Sequence, residues 1–132
     1  MIYLDSSAAV KLVHAEAESQ ALRDWLDARA DAPWVSSVLL EIETYRALAR
    51  HAPAALPRLS AVLDVIDLIG LDADIRSGAR EVRPVTVRSL DAIHLATALQ
   101  IPGLAAFVAY DARLAEAAAA AGLPVAAPAW GE

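Results

Sequence analysis

A chain of 132 residues is long enough to bury one core and too short for two, so a single domain over residues 1–132 is expected, with no linker. The absence of cysteine excludes disulfides, thiolate catalysis and Cys-ligated zinc, leaving oxygen and imidazole as the only metal donors. A net charge of -6 excludes diffuse attraction to nucleic acid, which depends on neutralising phosphates, so a nucleic-acid substrate would need a local basic patch.

The hydrophobic fraction is 58 %, yet the apolar stretches are interrupted by charge and never reach the roughly 18 residues that cross a bilayer. No basic segment precedes the first apolar residues, so a signal peptide is not expected and the cytoplasm is the default location, away from membranes.

In chain order, Ile2 to Leu4 reads as a short buried strand, followed by a helix from Ser6 and a second from Glu16 to Ala30, with Leu22, Trp25 and Leu26 on one face. Pro33 breaks the pattern, Trp34 to Ser36 reads as extended, and Ser37 caps a helix carrying VLLEIETYRALAR. Pro53 and Pro57 precede another helix. Val65 to Ile69 reads either as that helix's end or as a strand; a strand at Asp67 to Leu71 is the expectation, then a helix near Ile75 to Glu81. Arg88 to Gln100 is helical and ends at Pro102-Gly103. Ala105 to Tyr110 is a second clear buried strand, a helix runs from Arg113 to the alanines before Gly122, and Leu123 to Ala126 reads as an edge strand. Strands alternating with helices imply a parallel α/β sheet covered on both faces.

Both clear strands end in an acid, Asp5 and Asp111, and ligands of open α/β sheets bind beyond the C-terminal ends of the strands. Glu43 in SSVLLEIETYRALAR and Asp91 in RSLDAIHLATAL can join them from helices. Each acid also has a plainer reading. Asp5 and Asp111 fit helix N-caps, Glu43 a solvated helix position, and Asp91 a first-turn acid favoured by the helix dipole behind Ser89 as cap. Glu41 competes with Glu43, but residues two apart on a helix point about 200° apart, so only one can face a site. Asp24, Asp27, Asp64, Asp72 and Asp74 read as surface. Converging carboxylates about 4 Å apart repel by roughly 4 kcal/mol per pair at an effective dielectric near 20, so together they either bind protons or gather cations. Oxygen donors select Mg²⁺ or Mn²⁺, the ions of phosphodiester hydrolysis.

The segments YLDSSAAVKL, SSVLLEIETYRAL, RSLDAIHLATAL and FVAYDARLAEAAAAAGLPV, in this order over nearly the full length, resemble the PIN-domain ribonucleases, and among them the VapC-type toxins of toxin-antitoxin pairs. The resemblance implies a PIN-like three-layer α/β domain whose central, mostly parallel sheet of four to five short strands is flanked by helices. It also implies Mg²⁺-dependent endonucleolytic cleavage of RNA, a metal-binding and catalytic set of Asp5, Glu43, Asp91 and Asp111, a cognate antitoxin that blocks the site, and a homodimer. Many relatives carry Ser or Thr where this chain has Ala109.

Arg46 and Arg50, three and seven residues after Glu43, and Arg113 are candidates for holding RNA phosphates, with solvent exposure or ion pairing as the alternative. His94, three residues after Asp91, is a base, a ligand or a packing histidine; His14 and His51 read as surface. Ser6 could place a hydroxyl near the metal or simply start its helix. Trp25 and Trp34 read as core or interface, and Trp130 has no assignable role. Competing functions are a phosphorelay receiver, disfavoured by a single early acid and a sole lysine at Lys11; a haloacid-dehalogenase-like phosphatase, disfavoured by Ser7 two residues after Asp5; and an inactive PIN fold kept for protein binding.

Overall fold

A computed structural model describes residues 1–129, so Trp130 lies outside the described residues. Five strands form one sheet, β1 (Ile2–Leu4), β2 (Trp34–Ser37), β3 (Ile66–Ile69), β4 (Ala106–Val108) and β5 (Val125–Ala126), in the order β3-β2-β1-β4-β5. Every neighbouring pair is parallel. The helices are α1 (Ser6–Val13), α2 (Ser19–Asp27), α3 (Leu39–His51), α4 (Leu59–Leu63), α5 (Ala73–Arg80), α6 (Ser89–Leu99) and α7 (Ala112–Ala120), with a 3-10 turn at Pro53–Arg58.

The expected three-layer arrangement follows from the period of two along the strands. Ile2 and Leu4 point to a layer built from Ala8, Ala9 and Leu12 of α1, Leu22 and Leu26 of α2, and Leu40 of α3. Tyr3, Val35 and Phe107 point the other way, against Leu95 and Ala98 of α6 and Leu114, Ala117 and Ala118 of α7. Strands covered on both faces need no alternation of polarity, which is why IYL and AFV are uninterrupted apolar runs.

The order of the strands sets the place of the site. The chain builds outward from β1 through β2 to β3, then returns to lay β4 on the other side of β1. That reversal is a topological switch point, where the connections leave β1 and β4 toward opposite faces and a crevice opens beyond their C-terminal ends. The N–H of Asp5 donates to the carbonyl of Val108 at 3.1 Å, tying the two strand ends together. The order also differs from the 2-1-3-4-5 arrangement of receiver domains. Lys11, the lysine a receiver would need on a late strand, sits on α1 and pairs with Glu16 and Glu18.

Several boundaries differ from those expected. Helix α2 starts at Ser19 because the Ser19 hydroxyl accepts from the Glu16 N–H (2.9 Å), holding residues 16–18 in a turn. Strand β3 is Ile66–Ile69 because its register is set against β2, Trp34 opposite Ile66 and Ser37 opposite Ile69. Helix α5 begins at Ala73 because Asp72 caps it, accepting from the Ile75 N–H at 2.8 Å. Ser89 is the first residue of α6 and does not cap it; that place belongs to Arg88, whose side chain makes no capping bond. Gly122, at φ +89°, closes α7 through Leu123 N–H to the Ala118 carbonyl. Trp25 and Trp34 pack half-buried against the first layer's core. No helix among the described residues is long and apolar enough to cross a membrane.

Candidate active site

Asp5 follows β1 directly and is only 2 % exposed. It does cap α1: its Oδ1 accepts from the Ala8 N–H at 2.9 Å and from the Ser7 hydroxyl at 2.6 Å. Ser7 in turn accepts from the Tyr110 N–H at 2.9 Å, so one hydroxyl links the acid after β1 to the connection that carries Asp111. Ser7, not Ser6, holds the acid. The signal was present in the sequence, since a hydroxyl two residues into a helix capped by Asp lies within reach of the capping carboxylate.

Burial pushes the Asp5 carboxyl up to about 6; the bonds from Ser7 and Ala8 and the nearby His94 act against that rise, and repulsion from Glu43 adds to it. The plain reading of this residue, a helix N-cap, is what the structure shows. A cap needs one carboxylate oxygen at a surface helix start, whereas Asp5 is sealed into the switch point and has no ion-pair partner among the described residues.

Glu43 projects from α3, and its Oε1 lies 2.6 Å from Nε2 of His94, with 19 % of the Glu43 side chain exposed. Its rival Glu41 is exposed and lines a groove of about 510 Å³ with Ile42, Tyr45, Leu56 and Leu59, on a different side of α3. Asp91, in the first turn of α6, has its carboxyl raised by burial, then by repulsion from Asp111 and Glu43, with His94 and Arg88 opposing. Asp111 is exposed and caps α7, its Oδ1 accepting from the N–H groups of Arg113 (2.9 Å) and Leu114 (3.1 Å).

The four acids thus form an electrostatically linked series, Asp5 with Glu43, Glu43 with Asp91, and Asp91 with Asp111. A cavity of about 730 Å³ opens beside Asp91 and Asp111, walled by Val87, Leu114 and Ala117 and edged by Arg88 and Arg113. Neither guanidinium has an ion-pair partner among the described residues. Of the other arginines singled out, Arg46 lines the second groove and Arg50 is exposed at the end of α3. Ala109 is fully buried with Tyr3, Leu95 and Phe107, so its methyl packs in the core.

The donor set suits a hard divalent cation in chemistry. Among the described residues, none donates a hydrogen bond to Oδ2 of Asp5, Oε2 of Glu43, Oδ2 of Asp111 or either carboxyl oxygen of Asp91. No sealed side-chain nitrogen or oxygen among the described residues lacks a hydrogen-bond partner. No group of three or more His, Asp or Glu side chains among those residues is drawn tightly enough to hold an ion as it stands. Uncompensated carboxylates repel, and Asp5, Glu43 and Asp111 each lean on a local donor instead.

Sheet order and the acids that follow β1 and β4 are those of an open, parallel α/β domain with its crevice at the switch point. A family model described as PIN domain matches residues 2–120. The chain is 49 % identical over 131 residues to Ribonuclease VapC35 of Mycobacterium tuberculosis, covering 97 % of each protein. It is 41 % identical over 134 residues to Ribonuclease VapC47 of the same species, again with 97 % of each covered. Solved structures agree on the fold. VapC20 of Mycobacterium tuberculosis, described as a Sarcin-Ricin loop cleaving toxin, superimposes with a TM-score of 0.74 at 23 % identity over 97 % of this chain and 100 % of that one. VapBC2 of Rickettsia felis, bound to a DNA fragment from its promoter, does so with a TM-score of 0.75 at 14 % identity over 97 % and 99 %. The chain belongs to the PIN-domain family, within its VapC ribonucleases. It is accordingly a nuclease.

Proposed function

We propose that this protein is a metal-dependent endoribonuclease and the toxin of a toxin-antitoxin pair, hydrolysing RNA phosphodiester bonds at a site made by Asp5, Glu43, Asp91 and Asp111. The observation that supports the reading is the electrostatic linkage, pair by pair, of four acids from four separate segments, two of them following the strands that flank the switch point. Mg²⁺ is the ion assigned, with Mn²⁺ as its equivalent, because both prefer oxygen donors and retain water. Such a cation, when bound, polarises the scissile phosphate and offsets charge on the leaving oxygen.

The chain's own residues have distinct tasks. Asp5 is anchored through Oδ1 to Ser7 and Ala8, leaving Oδ2 for the cation. Asp91 and Asp111 border the cavity on the substrate side, where Arg113 and Arg88 stand free to pair with phosphates flanking the cut. With a net charge of -6, these local guanidiniums supply the attraction to RNA that the molecule as a whole lacks. Arg46 and Arg50 lie outside that cavity, so the substrate reading rests on Arg113. Water adds to phosphorus as the P–O bond breaks, and the departing oxygen takes up the proton.

An antitoxin partner follows from the family and from structural neighbours solved as toxin-antitoxin complexes, and a homodimer is assigned on the same family ground. The deciding experiment incubates the purified chain with structured cellular RNA and Mg²⁺ beside Asp5→Asn. Cleavage by the parent and none by the variant is expected. Equal cleavage by both, or none by either after any bound partner has been stripped, removes the assignment.

A further inference from the structure

His94 is 1 % exposed and makes two short hydrogen bonds. Nδ1 lies 2.6 Å from the hydroxyl of Tyr3, and Nε2 lies 2.6 Å from Oε1 of Glu43. The far end of this series is fixed as well. The Ser37 N–H donates to the Tyr3 hydroxyl at 3.2 Å, the Tyr3 ring stacks on Phe107 at 5.0 Å between centroids, and it meets the imidazole edge-on at 5.7 Å. None of these groups belongs to the four-acid set except Glu43.

The bonds determine one another. An ionised carboxylate only accepts, so Nε2 of His94 must bring the proton to Glu43. A neutral imidazole with its proton on Nε2 has a bare Nδ1, which only accepts. With the imidazole in that neutral form, the Tyr3 hydroxyl, which receives the Ser37 N–H, turns its own proton toward Nδ1. A backbone amide of β2 thus specifies, through a phenol and an imidazole, where one oxygen of Glu43 sits.

We infer that His94 is a positioning residue: with its tautomer set by Tyr3, it clamps Oε1 of Glu43 and leaves Oε2 as the oxygen open to a cation, so that Glu43 meets the metal already oriented. This rests on the proposed role of Glu43 and adds a residue that the sequence offered only as base, ligand or packing group. A free glutamate has three rotatable bonds and samples many orientations, whereas a clamped one presents the same oxygen each time. Groups that orient metal-binding side chains in this manner typically govern affinity by about 10- to 100-fold.

The test uses the full chain, first metal-free and then titrated with Mn²⁺ alone. Long-range ¹H–¹⁵N spectra of the imidazole should show the proton on Nε2 in the parent, with that preference lost in Tyr3→Phe. In Mn²⁺ titrations read by electron paramagnetic resonance, His94→Leu should bind about 10- to 100-fold more weakly, while His94→Gln, whose amide N–H reaches the position of Nε2, recovers most of the loss. In a Glu43→Gln background the His94→Leu change should add nothing, because the histidine acts only through that carboxylate. Circular dichroism establishes that each variant is folded; should His94→Leu fail to fold, the Tyr3→Phe and His94→Gln pair carries the comparison.

A proton on Nδ1 in the parent, parental affinity in a folded His94→Leu, or full additivity with Glu43→Gln overturns the inference. A parent with the proton on Nε2 that takes up no Mn²⁺ overturns the metal reading of the four acids and leaves the clamp on Glu43 standing.

Discussion

Replacing Asp5 by Asn should make the metal-free protein more stable while destroying its activity. Burial raises the Asp5 carboxyl from 3.8 to about 6, so the folded chain holds this proton more tightly than the unfolded chain does. Its contribution to stability is complete below pH 3.8 and is lost as the pH rises through 6. Above that, the ionised, 2 % exposed carboxylate opposes folding. At about 1.4 kcal/mol per pH unit, the penalty near pH 8 is about 3 kcal/mol. Asn removes the charge and keeps an oxygen to accept from Ser7 and Ala8, and it is as good an N-cap as Asp. Urea unfolding in a chelator should therefore place Asp5→Asn up to about 3 kcal/mol above the parent at pH 8, with the two converging near pH 4. Adding Mg²⁺ at pH 8 should stabilise the parent and not the variant. A variant less stable than the parent at pH 8, or a difference that does not change with pH, would refute the reasoning.

Other perturbations separate the roles of neighbouring residues. Ser7→Ala removes both the hydrogen bond to Asp5 and the one from the Tyr110 N–H, which should cost about 1–3 kcal/mol in urea unfolding. Asp91→Asn should reduce cleavage about 100-fold or more in single-turnover assays, while the fold, followed by circular dichroism, is retained. If Arg113, at the edge of the cavity, holds phosphates as proposed, Arg113→Ala should raise KM with little change in kcat and flatten the salt dependence of RNA binding. Phe107→Ala, which empties a fully buried position stacked on Tyr3, should cost about 3–5 kcal/mol.

Much of the architecture was legible in the residues, for identifiable reasons. IYL and AAFVAY are strands that a parallel sheet buries on both faces, so they stand out against amphipathic helices, and each is followed by an acid at the C-terminal edge of the sheet. Proline and glycine near residues 33, 53, 57 and 103 mark real ends. What was missed depends on bonds that cross the chain. Strand β3 could be placed only to within one or two residues because IDLI is set by its register against β2, a non-local constraint. The grip of Ser7 on Asp5 is local and readable from spacing, but its second bond, from Tyr110, spans 103 positions. The tie from Tyr3 through His94 to Glu43 joins three elements and leaves no trace in spacing beyond His94 lying one helical turn after Asp91.

The return of the chain to seat β4 against β1 has a consequence for synthesis. While the protein emerges from the ribosome, β1 and β2 can pair early, but the slot beside β1 stays open until nearly the last fifth of the chain has been made. Until then Asp111 is missing and the end of β1 lacks its tether to Val108. A product that stops short of β4 therefore carries an incomplete set of acids. The order of translation therefore leaves an unfinished copy without the β4 half of the switch point.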